Sequence, residues 1–187
     1  MKYPLPLSRR PAFRSFVWLA LPVLLLSLGS CKKALELITF QISDSSTVTV
    51  PPAPLGSYML PGIAVTSTST NTYQVNNTNA DYVQDVTLDQ LTLSIEAPAG
   101  QNFNFLQSIS ISIASDAAGS DKVLIASLSS VPQGVTTINL TPTDSKLDKF
   151  LRNGSYSLIT SAALKQSVTQ PIRLRTDARY NVRARQP

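Results

Sequence analysis

The stretch from Ile172 to Arg183 constrains the fold more than any other, because core-compatible and polar residues alternate there one for one. Ile172, Leu174, Thr176, Ala178, Tyr180 and Val182 share one parity, and Arg173, Arg175, Asp177, Arg179, Asn181 and Arg183 share the other. Successive side chains of a β-strand point to opposite faces, so the run predicts a strand with one face in a core and one in water. Helical spacing would scatter both sets around an axis.

The same period recurs along the chain. Ile38, Phe40 and Ile42 alternate with polar residues, then Asp44, Ser45 and Ser46 interrupt, and Val48 and Val50 resume before Pro51 and Pro52. This predicts a first strand at a sheet edge, split by a turn or bulge. Residues 51–80 are rich in Pro, Ser, Thr and Asn and read as loops around one or two short strands, with Ile63 and Val65 as the clearest alternation. Leu91, Leu93, Ile95 and Ala97, then Phe103, Phe105, Ile109, Ile111 and Ile113, predict two strands joined as a hairpin through Pro98–Gln101. Val86 and Leu88 lie on even positions and Leu91 onward on odd ones, so a bulge is expected near Asp89 and Gln90.

Val123–Leu128, Val135–Leu140 and Ser155–Thr160 add further short strands. Between Pro142 and Gly154, Leu147, Phe150 and Leu151 fall at three-to-four spacing after the potential caps Asp144 and Ser145, which predicts one short helix near 144–152. About seven to nine strands with one helical turn make an all-β fold, an antiparallel immunoglobulin-like β-sandwich. The disulfide and core tryptophan of immunoglobulin domains are missing, since the one Trp is Trp18 and the one Cys is Cys31.

Composition narrows the chemistry. Histidine is absent and cysteine single, which excludes Cys/His zinc sites, Ser-His-Asp triads and Cys-His dyads. The net charge of +5 is concentrated at the start, where Lys2, Arg9, Arg10 and Arg14 stand with no acid. Without those four, twelve cations face eleven acids, so the remaining chain lacks the basic excess of a nucleic-acid binder.

Those four cations precede a nearly uninterrupted apolar run, Phe16–Leu28, in the order of a secretory signal. At 13 residues, broken by Pro22, the run is shorter than the roughly 20 needed to span a bilayer as a helix. Leu28, Gly29, Ser30 and Cys31 follow at once. These four residues resemble the lipobox of bacterial lipoproteins, in which the cysteine receives diacylglycerol before cleavage.

The resemblance implies that residues 1–30 are a signal peptide, 31–37 a lipidated tether and 38–187 a single sandwich domain. Two or three acyl chains on Cys31 would hold far more firmly than one. Lys32 and Lys33, with Glu36 the nearest acid, are a weak match to a surface-export signal. The implied location is the bacterial cell envelope, lipid-anchored at the outer membrane, and the domain is similar in outline to uncharacterised envelope lipoproteins of Gram-negative bacteria.

Several constellations have two readings. Asp81, Asp85 and Asp89 recur every four residues and can be a cation cluster or solvated strand-edge acids; no calcium-loop motif accompanies them, and no metal or cofactor is expected. Arg173, Arg175, Arg179 and Arg183, continued by Arg185, can bind an anionic glycan or protein partner bidentately, or can simply keep an exposed strand from pairing with other sheets. Asp89 and Glu96 are possible members of a glycosidase-type carboxylate pair. Thr143 and Lys146 match a Ser-x-x-Lys nucleophile only loosely and lack its companion motifs. Tyr58, Tyr73, Tyr82 and Tyr180 are the aromatics available for glycan stacking. The expectation is a non-catalytic, lipid-anchored binding or structural module with an envelope protein or glycan as partner. The alternative is an envelope hydrolase working through two carboxylates.

Overall fold

The computed structural model describes residues 36–186, so the expectations for residues 1–35, Cys31 above all, lie outside the described residues. Among the described residues nine strands form: β1 Leu37–Val50, β2 Gly56–Met59, β3 Ile63–Thr66, β4 Val83–Ala97, β5 Leu106–Ala114, β6 Val123–Leu128, β7 Thr137–Pro142, β8 Ser155–Leu164 and β9 Ile172–Arg185. Two helices join them, α1 Ser69–Val75 after β3 and α2 Asp148–Leu151 before β8.

All pairings are antiparallel, in the order β1-β9-β4-β7-β6-β5-β8-β2, with β3 also on β8. β7 turns the corner, because Thr137–Leu140 pair with β4 whereas Thr141 and Pro142 pair with β6. Tyr156 on β8 and Tyr180 on β9 stand far apart in that order, yet their ring centroids are 6.0 Å apart. The layer β1-β9-β4-β7 therefore faces the layer β6-β5-β8-β2/β3 across one core, and the all-β antiparallel sandwich expected from the period-two pattern is the fold.

Burial follows the alternation. Every second residue of β9 from Ile172 to Ala184 is buried, and Val86, Leu88, Leu91 and Leu93 of β4 join the same core. The register of β4 against β9 slips between Leu88 and Gln90, where the parity change predicts a bulge.

Four expectations are corrected. β1 is one unbroken strand paired with β9 residue for residue. It keeps its register through Asp44 because that side chain turns inward, where other chemistry satisfies it. β4 and β5 do not form a hairpin, since β4 pairs with β7 and β9 while β5 pairs with β6 and β8. Residues 98–105 instead cross between layers, and Phe103–Phe105 is a 3-10 turn that buries both phenylalanines in the core. An apolar-faced strand reads the same whether its neighbour is the next strand or a distant one. α2 falls within 144–152 but starts from Leu147, with no side-chain cap from Asp144 or Ser145. The polar stretch after β3 also holds a helix that its composition conceals, anchored by Tyr73, which is buried against Phe40.

Candidate functional site

The outer face of β9 carries the charges. Arg173, Arg175, Arg179 and Arg183 are all exposed, and the odd-numbered polar side chains of β1 flank them on one side and β4 on the other. β9 is an interior strand of its layer, so its arginines do not guard a sheet edge; that reading of the stripe is corrected.

Three of the arginines are ordered by a set of bulges on β4. Its register against β9 slips three times, leaving Gln84, Asp89 and Glu96 as extra residues. Each of the three meets an arginine. Arg179 donates to Asp89 at 2.6 Å, and Arg173 pairs with Glu96 at 3.1 Å. Gln84, with its amide oxygen towards Arg185, accepts from that guanidinium at 2.6 Å and 3.0 Å. A bulge re-aims a side chain that a regular ladder would hold in line, and here it brings an acceptor to a guanidinium.

Further contacts knit the face together. Arg175 donates from Nε to both carboxylate oxygens of Asp177 at 2.9 Å and 3.0 Å, and the Ser45 hydroxyl donates to Asp177 at 2.8 Å. Gln41 donates to Asn181, Asn181 to Asp89, and Thr92 to Asn139. The hydrogen bond from Arg179 holds the Asp89 carboxyl below its ordinary range. Arg183 lies opposite Asp85 in the register and makes no ion pair within 4.0 Å among the described residues. The stripe is thus a hydrogen-bonded face in which Arg173, Arg175 and Arg179 are ion-paired, Arg185 is held by a neutral amide and Arg183 has no ion pair among the described residues, and a field of free cations is not what it presents.

Other sequence candidates are not brought together. No group of three or more potential metal ligands occurs among the described residues: Asp81 lies in a 3-10 turn, Asp85 on β4, and Asp89 is engaged by Arg179. Asp89 and Glu96 lie seven residues apart along β4, which at about 3.3 Å per residue is roughly 20 Å, beyond the 5–10 Å of a glycosidase pair. The Thr143 hydroxyl is spent on the carbonyl of Leu124 and on Ser145. Tyr73 and Tyr180 are buried, so neither is available for stacking, and Tyr58 and Tyr82 are half-buried.

The most connected buried polar side chain is one that the alternation pattern does not flag as a site. Asp44, 4 % exposed, sits on the inner face of β1. One carboxylate oxygen accepts from the Thr68 amide at 2.7 Å and the Thr68 hydroxyl at 3.0 Å, and the other accepts from the Tyr156 hydroxyl at 3.0 Å. Tyr156 in turn accepts from the Tyr180 hydroxyl at 2.9 Å. Burial pushes both phenols above the usual tyrosine value, so each stays a donor. The relay ties β1, β8, β9 and the turn before α1, and the signal for it was the even parity of Asp44, which it shares with Ile42 and Val48.

No protein-family model and no curated protein sequence matches the chain. Among solved structures, the decameric BFDV capsid protein is similar at 11% identity and a TM-score of 0.38, over 80% of this chain and 100% of that one. Desmodium yellow mottle tymovirus is similar at 10% identity and a TM-score of 0.27, over 79% of this chain and 89% of that one. Likenesses at these scores carry no argument about fold or function.

Proposed function

We propose that this protein is a non-catalytic, lipid-anchored module of a bacterial cell envelope that offers the outer face of β1, β9 and β4 to an envelope protein or glycan. The observation that carries the reading is the order of cations, apolar run and Leu28-Gly29-Ser30-Cys31. The outer face supports the binding half of it, because a partner meets guanidinium, amide and hydroxyl groups already held in place by the bulges and need not order them. Arg183 is the guanidinium best able to take a carboxylate or phosphate of that partner bidentately.

The test is expression of the full chain in a Gram-negative host fed an alkyne analogue of palmitate. The parent is expected to take up label and to fractionate with membranes, and Cys31→Ser to do neither. A variant that is processed and fractionates as the parent does would sink the anchor. Co-purification from the mildly solubilised envelope then tests the face: Arg183→Gln should stay folded and lose the partner that the parent retains.

A further inference from the structure

A second feature lies between the layers, at the end where β1 runs into β2. Phe103, Phe105, Leu106 and Ile109 on one side, Leu164 of β8 beside them and Leu174 of β9 opposite surround an apolar cleft of about 220 Å³. Its rim is the strap Pro51–Pro54. The strap is pinned by two backbone hydrogen bonds, Ala53 to the Val168 carbonyl at 2.9 Å and Val168 to the Ala53 carbonyl at 2.8 Å. Three of its four residues are prolines with fixed φ, which keeps it from folding into the space.

The cleft does not suit water. A buried water needs two to four polar partners. The lining offers two side-chain hydroxyls, Tyr58 and Thr160, and that of Tyr58 is already committed to the Pro54 carbonyl at 2.8 Å. Nor is emptiness favourable, since an apolar void forfeits the contacts of every group around it. The space is partly open to solvent, and Phe105, Ile109, Leu164 and Leu174 keep 5–8 % exposure. No charged residue lines it.

We propose that this interlayer cleft binds a single unbranched aliphatic chain. A cavity of about 150 Å³ takes up benzene, so by proportion the 220 Å³ here suits about nine carbons. The chain lies along the inner faces of β5 and β8 with its polar end at the proline strap. Nothing in this inference depends on the anchor at Cys31.

The experiment uses the full 187-residue chain made by cell-free synthesis without membranes, so that it carries no lipid of its own. Octanoate and, separately, dihexanoylphosphatidylcholine are added below their micelle-forming concentrations. Thermal unfolding and intermolecular NMR contacts from the chain protons are then measured. At a hundredfold excess over Kd the midpoint should rise by roughly 5–10 °C. Contacts should appear to the methyls of Leu106, Leu164 and Leu174.

A response to octanoate identifies a free fatty acid as sufficient, and a response to the phospholipid alone identifies a lipid-borne chain. Ala162→Phe, which fills the cleft from β8, should abolish the rise. No rise with either compound, a rise undiminished in Ala162→Phe, or contacts to methyls elsewhere overturns the proposal. Should Ala162→Phe fail to fold, the contact pattern in the parent decides alone.

Discussion

Replacing Asp44 by Ala tests whether the buried relay holds β1 in the core. The carboxylate accepts three hydrogen bonds, from the Thr68 amide, the Thr68 hydroxyl and the Tyr156 hydroxyl. In the variant the Thr68 hydroxyl keeps the Ser43 carbonyl, 3.1 Å away, as an acceptor. Two donors lose their partner. The Thr68 amide belongs to an exposed residue and recovers water, a loss of about 1 kcal/mol, whereas the Tyr156 hydroxyl is sealed in the core and is left unsatisfied at about 2 kcal/mol.

The sum, about 3 kcal/mol, corresponds to a fall in Tm of roughly 10 °C for a domain of this size. Asp44→Asn should lose about 2 kcal/mol, because the hydroxyl chain can reverse, with the amide donating to Tyr156 and Tyr156 to Tyr180, but the buried Tyr180 hydroxyl proton is then left without an acceptor. Urea unfolding of the full chain by far-ultraviolet circular dichroism measures both. A double-mutant cycle with Tyr156→Phe should return a coupling of about 1–2 kcal/mol. If Asp44→Ala unfolds within 1 kcal/mol of the parent, the relay does not secure the strand and the reasoning fails.

The outer and inner faces of β9 should respond oppositely: Arg173, Arg175 and Arg179 to Gln should each cost within about 1 kcal/mol, whereas Val182→Asp, at a position 1 % exposed, should prevent folding by leaving an unpaired charge in the core, as chemical denaturation will report. Asp89 titrates below its ordinary value of 3.8 because Arg179 donates to it, so its stabilising share is present above about pH 4 and lost as pH falls through the lowered value; in Arg179→Gln, carboxyl NMR should find the titration moved up towards 3.8. The phenols of Tyr156 and Tyr180 are raised, so their share is complete below pH 10 and lost as pH climbs from there, and phenolate absorbance should show them ionising only together with unfolding. Gly62→Ala should destabilise by about 1–3 kcal/mol, since the new methyl would meet the Ala117 Cα at 2.6 Å and its carbonyl oxygen at 2.7 Å, backbone atoms that cannot rotate aside; an unchanged Tm would refute that close approach.

The sequence by itself determined the class of fold and which face of each long strand turns inward. Period-two alternation is local, and burial of one parity is the only way to satisfy it, so β9 and the bulge at Asp89 could be read without knowing any neighbour. Tertiary structure decided everything that depends on who the neighbours are. β4 pairs with β9, 76 to 101 residues away, and not with β5, because loop closure costs little more at long range and inner faces do not declare their partners. Asp44 looked like a break in β1 because a carboxylate belongs in a core only when distant groups satisfy it, and Thr68, Tyr156 and Tyr180 do so from three other elements. The arginines of β9 looked like a free cationic edge for the same reason: the counter-residues of Arg173, Arg179 and Arg185 stand on β4, at bulges whose positions become meaningful only once the two strands are side by side.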